Sequence, residues 1–94
     1  MHISAFDWDE MNEDHIAEHG VAIFEVQDAL LYRRPLFVRG SGGKYIAHGV
    51  TEEGRYLFIV FVFKGIGRVR VITARDMTYK DKRLYKKRRG GEMT

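Results

Sequence analysis

No cysteine occurs among the 94 residues, which excludes disulfide staples and thiolate metal sites and suits a reducing cytosol. Long hydrophobic runs are missing too. The longest, Tyr56 to Phe63, has eight residues, far below the roughly 20 that cross a bilayer. The opening MHISAFDWDE has neither a basic nor an apolar leader region, so no signal peptide, no membrane contact and a cytoplasmic location are expected. Proline occurs once, at Pro35. Lysine and arginine are absent from Met1 to Leu31, a stretch that carries eight acids and a formal charge of −8.

The missing cations lie at the other end. From Arg68 to Arg89 there are ten Lys or Arg against Asp76 and Asp81, a formal charge of +8 in a chain whose total is +3. Such a dipole along the sequence favours an anionic partner at the basic end, nucleic acid being the commonest, with a merely solvated basic helix as the alternative. Ninety-four residues suffice for one hydrophobic core, so a single domain over 1–94 is expected, with a disordered tail at 90–94.

Taken in order, Ile3 to Trp8 reads as a short edge strand and Asp9 as the N-cap of a helix over Glu10 to His19, closed by Gly20. Met11, His15, Ile16 and His19 share one face of it. A second helix spans Ala22 to Tyr32, with Ile23, Val26 and Leu30 at helical spacing, and Pro35 ends it. Strands follow at Leu36 to Arg39 and Lys44 to Val50, joined by Gly40-Ser41-Gly42-Gly43 as a hairpin. Arg55 to Lys64 is apolar on both parities, as in a central strand covered on both faces. Counting by twos along Arg68 to Arg75 puts Arg70 and Arg75 on opposite faces. Thr78 and Asp81 form a capping box for a last helix from Tyr79 that stops before Gly90-Gly91, docked by Leu84, Tyr85 and the stems of its cations. The fold class is therefore α+β: βαα, a four-stranded antiparallel run, and a basic C-terminal helix.

The stretches FDWDEMNEDHIAEHGV, GKYIAHGVTEEGRYLFIVFVF and RVRVITARDMTYKDKRLYKKR, in that order, resemble the BrnT toxins of type II toxin-antitoxin modules, which have a RelE-like fold. The likeness runs from Phe6 to Arg88. Its specific pieces are Trp8-Asp9 with Asn12 and His19-Gly20-Val21, then Gly54-Arg55-Tyr56-Leu57, then Val71 to Arg75 followed by Tyr85. Thr73 in place of a frequent Ser, Asp76 near an expected base, and Asp81 for Glu depart from the pattern. The resemblance implies an endoribonuclease that inhibits translation, on or off the ribosome. It also implies a cognate antitoxin with a DNA-binding fold, through which the pair meets operator DNA.

Cleavage of RNA without a metal or cofactor uses the 2′-hydroxyl as nucleophile and needs a proton acceptor, a proton donor and a cation at the phosphate. Arginine's fork fits the last role, so Arg75 is the first candidate and Arg70 the second; Arg75 could instead pair with carboxylates of the first helix. His48, the one histidine on the expected sheet, is a candidate acid or base, or else a half-exposed strand residue. Tyr85, which the resemblance also marks, could contact phosphate or base, or simply dock its helix. Lys64, Arg68, Lys80, Lys82, Arg83, Lys86, Lys87 and Arg88 are candidates for RNA-backbone contact.

His15-Ile16-Ala17-Glu18-His19 matches the inverted zinc-protease pattern but lacks a third ligand, and Gly40 to Lys44 lacks the spacing of a phosphate-binding loop. Neither metal nor nucleotide cofactor is expected. The rival reading is a non-catalytic RelE/ParE-fold interaction protein, either a gyrase inhibitor or a nucleic-acid-binding module.

Overall fold

The computed structural model describes residues 1–93, with side chains through Arg89. The elements are β1 (Ala5–Phe6), α1 (Glu10–Ala17), α2 (Ile23–Leu31), β2 (Leu36–Arg39), β3 (Lys44–Val50), β4 (Tyr56–Phe63), β5 (Arg68–Asp76) and α3 (Tyr79–Met93). The strands form one sheet in the order β1-β5-β4-β3-β2, antiparallel from β2 to β5, with β1 added in parallel beside β5. β4, apolar at every position, is its middle strand, as the double-parity pattern predicts.

One face of the sheet is dry. Leu57, Ile59 and Phe61 of β4, with Val69, Val71 and Ala74 of β5, meet Ile16 of α1 and Val26 and Ala29 of α2, all essentially inaccessible. Burying a side chain such as Phe61 is worth roughly 1.5–3 kcal/mol. Helix α2 approaches β3 so closely at Gly49 that an added Cβ there would lie 3.2 Å from both the Cβ and the carbonyl oxygen of Ala29. At Gly67, where φ is +72°, a Cβ would strike the Ser4 hydroxyl at 2.5 Å, so glycine lets β1 enter beside β5.

Helix α1 starts at Asp9, whose side chain accepts from the Asn12 amide while Asn12 Oδ1 accepts from the Asp9 amide. Asn12 is buried and its Nδ2 also donates to the carbonyls of Asp7 and Val71, which ties the helix to β5. The expected face of α1 needs correction here: Ile16 is buried with Asn12, whereas Met11, His15 and His19 are exposed. A buried side-chain amide with three backbone hydrogen-bond partners can occupy a core position that a hydrophobicity pattern assigns to Met.

Arg55, at the entry to β4, closes the packed end. Its guanidinium grips Asp76 with two hydrogen bonds (2.7 and 3.3 Å) and donates to the Gly20 carbonyl and to Glu25. These bonds hold Arg55 above its already high pKa and, chiefly through the same hydrogen bond, hold Asp76 below the usual carboxylate range. α3 continues to Met93, past the Gly90-Gly91 stop expected from sequence. The expectation of a disordered tail at 90–94 concerns side chains, and at Thr94 also backbone, that lie outside the described residues. No helix among the described residues is long and apolar enough to cross a membrane.

Candidate active site

The second face of the sheet carries the polar chemistry. His48 of β3, Phe58 of β4 and Arg75 of β5 stand opposite one another in register, one row across three strands. A bulge decides this. Phe61 pairs with Val71 but Val60 pairs with Thr73, so Ile72 is extra and the alternation of β5 shifts by one residue. Arg75 therefore joins Arg70 on the face away from α1 and α2, whereas counting by twos had put the two arginines on opposite faces. Without the extra residue Arg75 would point into the packed face.

Over that row lies the first turn of α3. Thr78 and Asp81 make the expected capping box: the Thr78 amide donates to Asp81 Oδ2 at 2.8 Å and the Asp81 amide to Thr78 Oγ1 at 3.1 Å. Asp81 Oδ2 also accepts from Arg75 Nη1 at 3.0 Å, and the same nitrogen donates to the Asp76 carbonyl at 2.9 Å. The Arg75 guanidinium lies 3.8 Å from the centre of the Phe58 ring, which holds it flat against the sheet. Among the described residues both of its hydrogen bonds use Nη1. The carboxylates of α1, proposed as its alternative partners, are not what it meets.

His48 Nε2 lies 3.8 Å from Asp81 Oδ1, longer than a hydrogen bond, and its ring stands edge-on to Phe58. Among the described residues its Nδ1 is buried without a hydrogen-bond partner, and the residue is 4% exposed. Burial pushes its pKa below the ordinary value, and Arg75 and Arg88 push the same way, outweighing the opposing pull of Asp81. His48 is thus a neutral imidazole at pH 7, and a half-exposed strand position does not describe it. Burial alone would raise the Asp81 carboxyl, but the hydrogen bonds from Thr78 and Arg75 outweigh it and leave Asp81 below the usual range.

Tyr85, one turn beyond Asp81, rests edge-on against Tyr56, and the ammonium groups of Lys82 and Lys86 lie 5.5 and 5.4 Å from the centre of the Tyr56 ring. Arg75, His48, Tyr85, Lys82 and Lys86 are thereby gathered round α3. Leu84, expected to help dock the helix, is instead exposed. Lys80, Arg83, Lys87 and Arg88 are exposed along the same helix.

Other candidates fall elsewhere. Arg70, at the far end of β5, is taken by Asp9 (3.0 Å) and lies 4.0 Å from Asp7, which makes it an anchor for the start of α1. Hydrogen bonding to Arg70 holds the Asp9 carboxyl below its ordinary value. Lys64 and Arg68 flank the β4–β5 turn, six residues along β4 from Phe58 and so about 20 Å away. Asp81 was read from sequence as a helix cap alone; its place six residues after a strand arginine was the one available hint of a second role. His15 and His19 have ring centres 5.7 Å apart, and among the described residues no three His, Cys, Asp or Glu side chains gather as a metal site.

A mixed five-stranded sheet with acidic helices on one face and an arginine under a basic helix on the other defines a class of small α+β proteins. Within that class the match is specific: the family model for the ribonuclease toxin BrnT of type II toxin-antitoxin systems covers residues 8–81. The chain belongs to the BrnT family. A solved structure shares the fold, the ribonuclease toxin BrnT of Brucella abortus at 1.1 Å resolution, with a TM-score of 0.65 and 19% sequence identity over 79% of this chain and 96% of that one. No curated protein matches.

Proposed function

We propose that this toxin cleaves RNA without a metal, by attack of the 2′-hydroxyl on the adjacent phosphate, at the row formed by Arg75, Phe58 and His48. The observation that carries this reading is the Arg75 guanidinium, fixed by Asp81 and the Phe58 ring. A cation held in place before substrate arrives stabilises the charge that gathers on the phosphorane without reorganising at that moment. Asp81 is the positioning partner of Arg75, and Tyr85, Lys82 and Lys86 draw the RNA backbone toward it. Neutral His48, in the same row as Arg75, is the proton acceptor of this reading. Antitoxin with a DNA-binding fold, and operator DNA through it, complete the proposal as partners of a cytoplasmic toxin.

The test is purified protein and RNA in EDTA, with analysis of the new ends. Cleavage by the 2′-hydroxyl leaves a 2′,3′-cyclic phosphate and a free 5′-hydroxyl. Arg75→Ala should lower the cleavage rate by about 10²–10³ with little loss of RNA binding. Intact RNA with wild-type protein, or full activity in Arg75→Ala, overturns the assignment.

A further inference from the structure

Beyond the catalytic row the structure holds a cleft that shares only Tyr85 with the residues assigned to cleavage. It has a volume of about 650 Å³ and lies between the end of α2, the β3–β4 turn and the third turn of α3. That is within the range of roughly 300–1,000 Å³ that small-molecule sites occupy. Its walls follow from local sequence. α2 ends at Leu31, Pro35 forbids its continuation, and Tyr32, Arg33 and Arg34 are left as a short rim. From α3 come Tyr85 and Arg89, four and eight residues after Asp81 and therefore on the same helix face, the last about 12 Å from Asp81 along the axis.

We propose that this cleft is a nucleotide subsite, which holds the base and phosphate of a residue flanking the one cut at Arg75. The inference rests on the ribonuclease reading and adds where the strand goes next. Among the described residues the cleft is lined by Arg33, Arg34 and Arg89 and by one acid, Glu52. Arg89 donates to the Arg34 carbonyl and stands 5.8 Å from the Tyr85 ring centre, joining the two rims. Arg33 meets Glu52 across the mouth at 3.4 Å, with both side chains well exposed. Such a pair contributes little and gives way readily to a phosphate. Tyr32 is 74% exposed, an aromatic face with nothing in the fold to explain its exposure and suited to stacking a base. The cleft is also continuous with the catalytic row: His48 pairs with Phe58, and two residues on Val50, which lines the cleft, pairs with Tyr56. Two residues of strand are about 7 Å, within the reach of a single nucleotide. An acidic peptide would suit the arginines but would leave the two tyrosines unused.

The test uses a single-stranded RNA hexamer made of 2′-O-methyl nucleotides, which cannot be cut through the 2′-hydroxyl, titrated into ¹⁵N-labelled full chain. Adenosine 5′-monophosphate serves as a smaller probe. Amides of Tyr32, Arg33 and Thr51 to Gly54 should shift with both, and Tyr32→Ala and Arg33→Gln should each weaken hexamer binding at least fivefold. Both side chains are exposed, so both variants should keep the fold, which the same spectra verify. Unchanged affinity in the double variant overturns the proposal. So does an acidic peptide that shifts those amides while the hexamer leaves them unmoved. Wild-type cleavage with no shift at the cleft removes the subsite and leaves the ribonuclease reading. Shifts at the cleft with no cleavage of natural RNA do the reverse.

Discussion

The two faces of the sheet are built on opposite principles. Toward α1 and α2 the side chains of β4 and β5 are apolar and essentially dry, and the buried Asn12 amide is saturated with hydrogen bonds. Toward α3, strands β3, β4 and β5 present His48, Phe58, Tyr56 and Arg75, with an imidazole nitrogen unpartnered among the described residues and a guanidinium only partly engaged. The first face has no chemistry available and supplies stability. The second keeps a partly exposed guanidinium beside a buried imidazole. Arginine itself shows the contrast: Arg55 and Arg70 are bound up in carboxylates that join elements, while Arg75, among the described residues, hydrogen-bonds through one nitrogen.

The comparison is sharpest where the faces respond differently to mutation. Phe61→Ala, which empties a fully buried site between the sheet and the helices, should cost about 3–5 kcal/mol. That is a large part of the stability of so small a domain, and urea denaturation would show the midpoint fall; a loss below 1 kcal/mol would mean that the packed face is not the stabilising one. Arg55→Ala should be next, at about 2 kcal/mol, because Glu25 and Asp76 would be left without their shared cation.

On the other face, neutralising Lys86, Lys87 and Arg88 together should barely move stability. It should reduce the slope of log affinity for single-stranded RNA against log salt by about 0.7 per contact removed. Unchanged slope would take α3 out of the RNA path. The smallest effect concerns His48. Its folded pKa lies below 6.5, so the unfolded chain binds a proton that the folded chain does not. Stability should therefore decline as pH falls through 6.5 and level off below the folded value. Asp76 and Asp81, both depressed below 3.8, contribute stability above that pH and lose it only in stronger acid. Thermal midpoints between pH 7.5 and 5 would show the first decline, and His48→Leu should flatten it.

Much of this was legible beforehand because it is local. The limits of β2 and β3, the central β4, the Asp9 cap and the Thr78–Asp81 box all follow from neighbours within a few residues. The charge segregation was equally plain. His48, Arg75 and Tyr85 were named from the sequence, but their grouping was not. Their nearness depends on strand register, and Asp81 completes the group only because α3 folds back over the sheet. Met11 and Asn12 exchanged places for a comparable reason: an amide's burial depends on what it finds to bond, and those partners come from β5.

Residue order alone therefore settled which segments become strands and helices and which end of the chain is basic, since propensity, capping and charge act over a turn or two. The tertiary structure decided the face that Arg75 uses. One extra residue at Ile72 shifts the alternation of β5, and a period of two has no means of recording a bulge that exists only in the pairing of two strands.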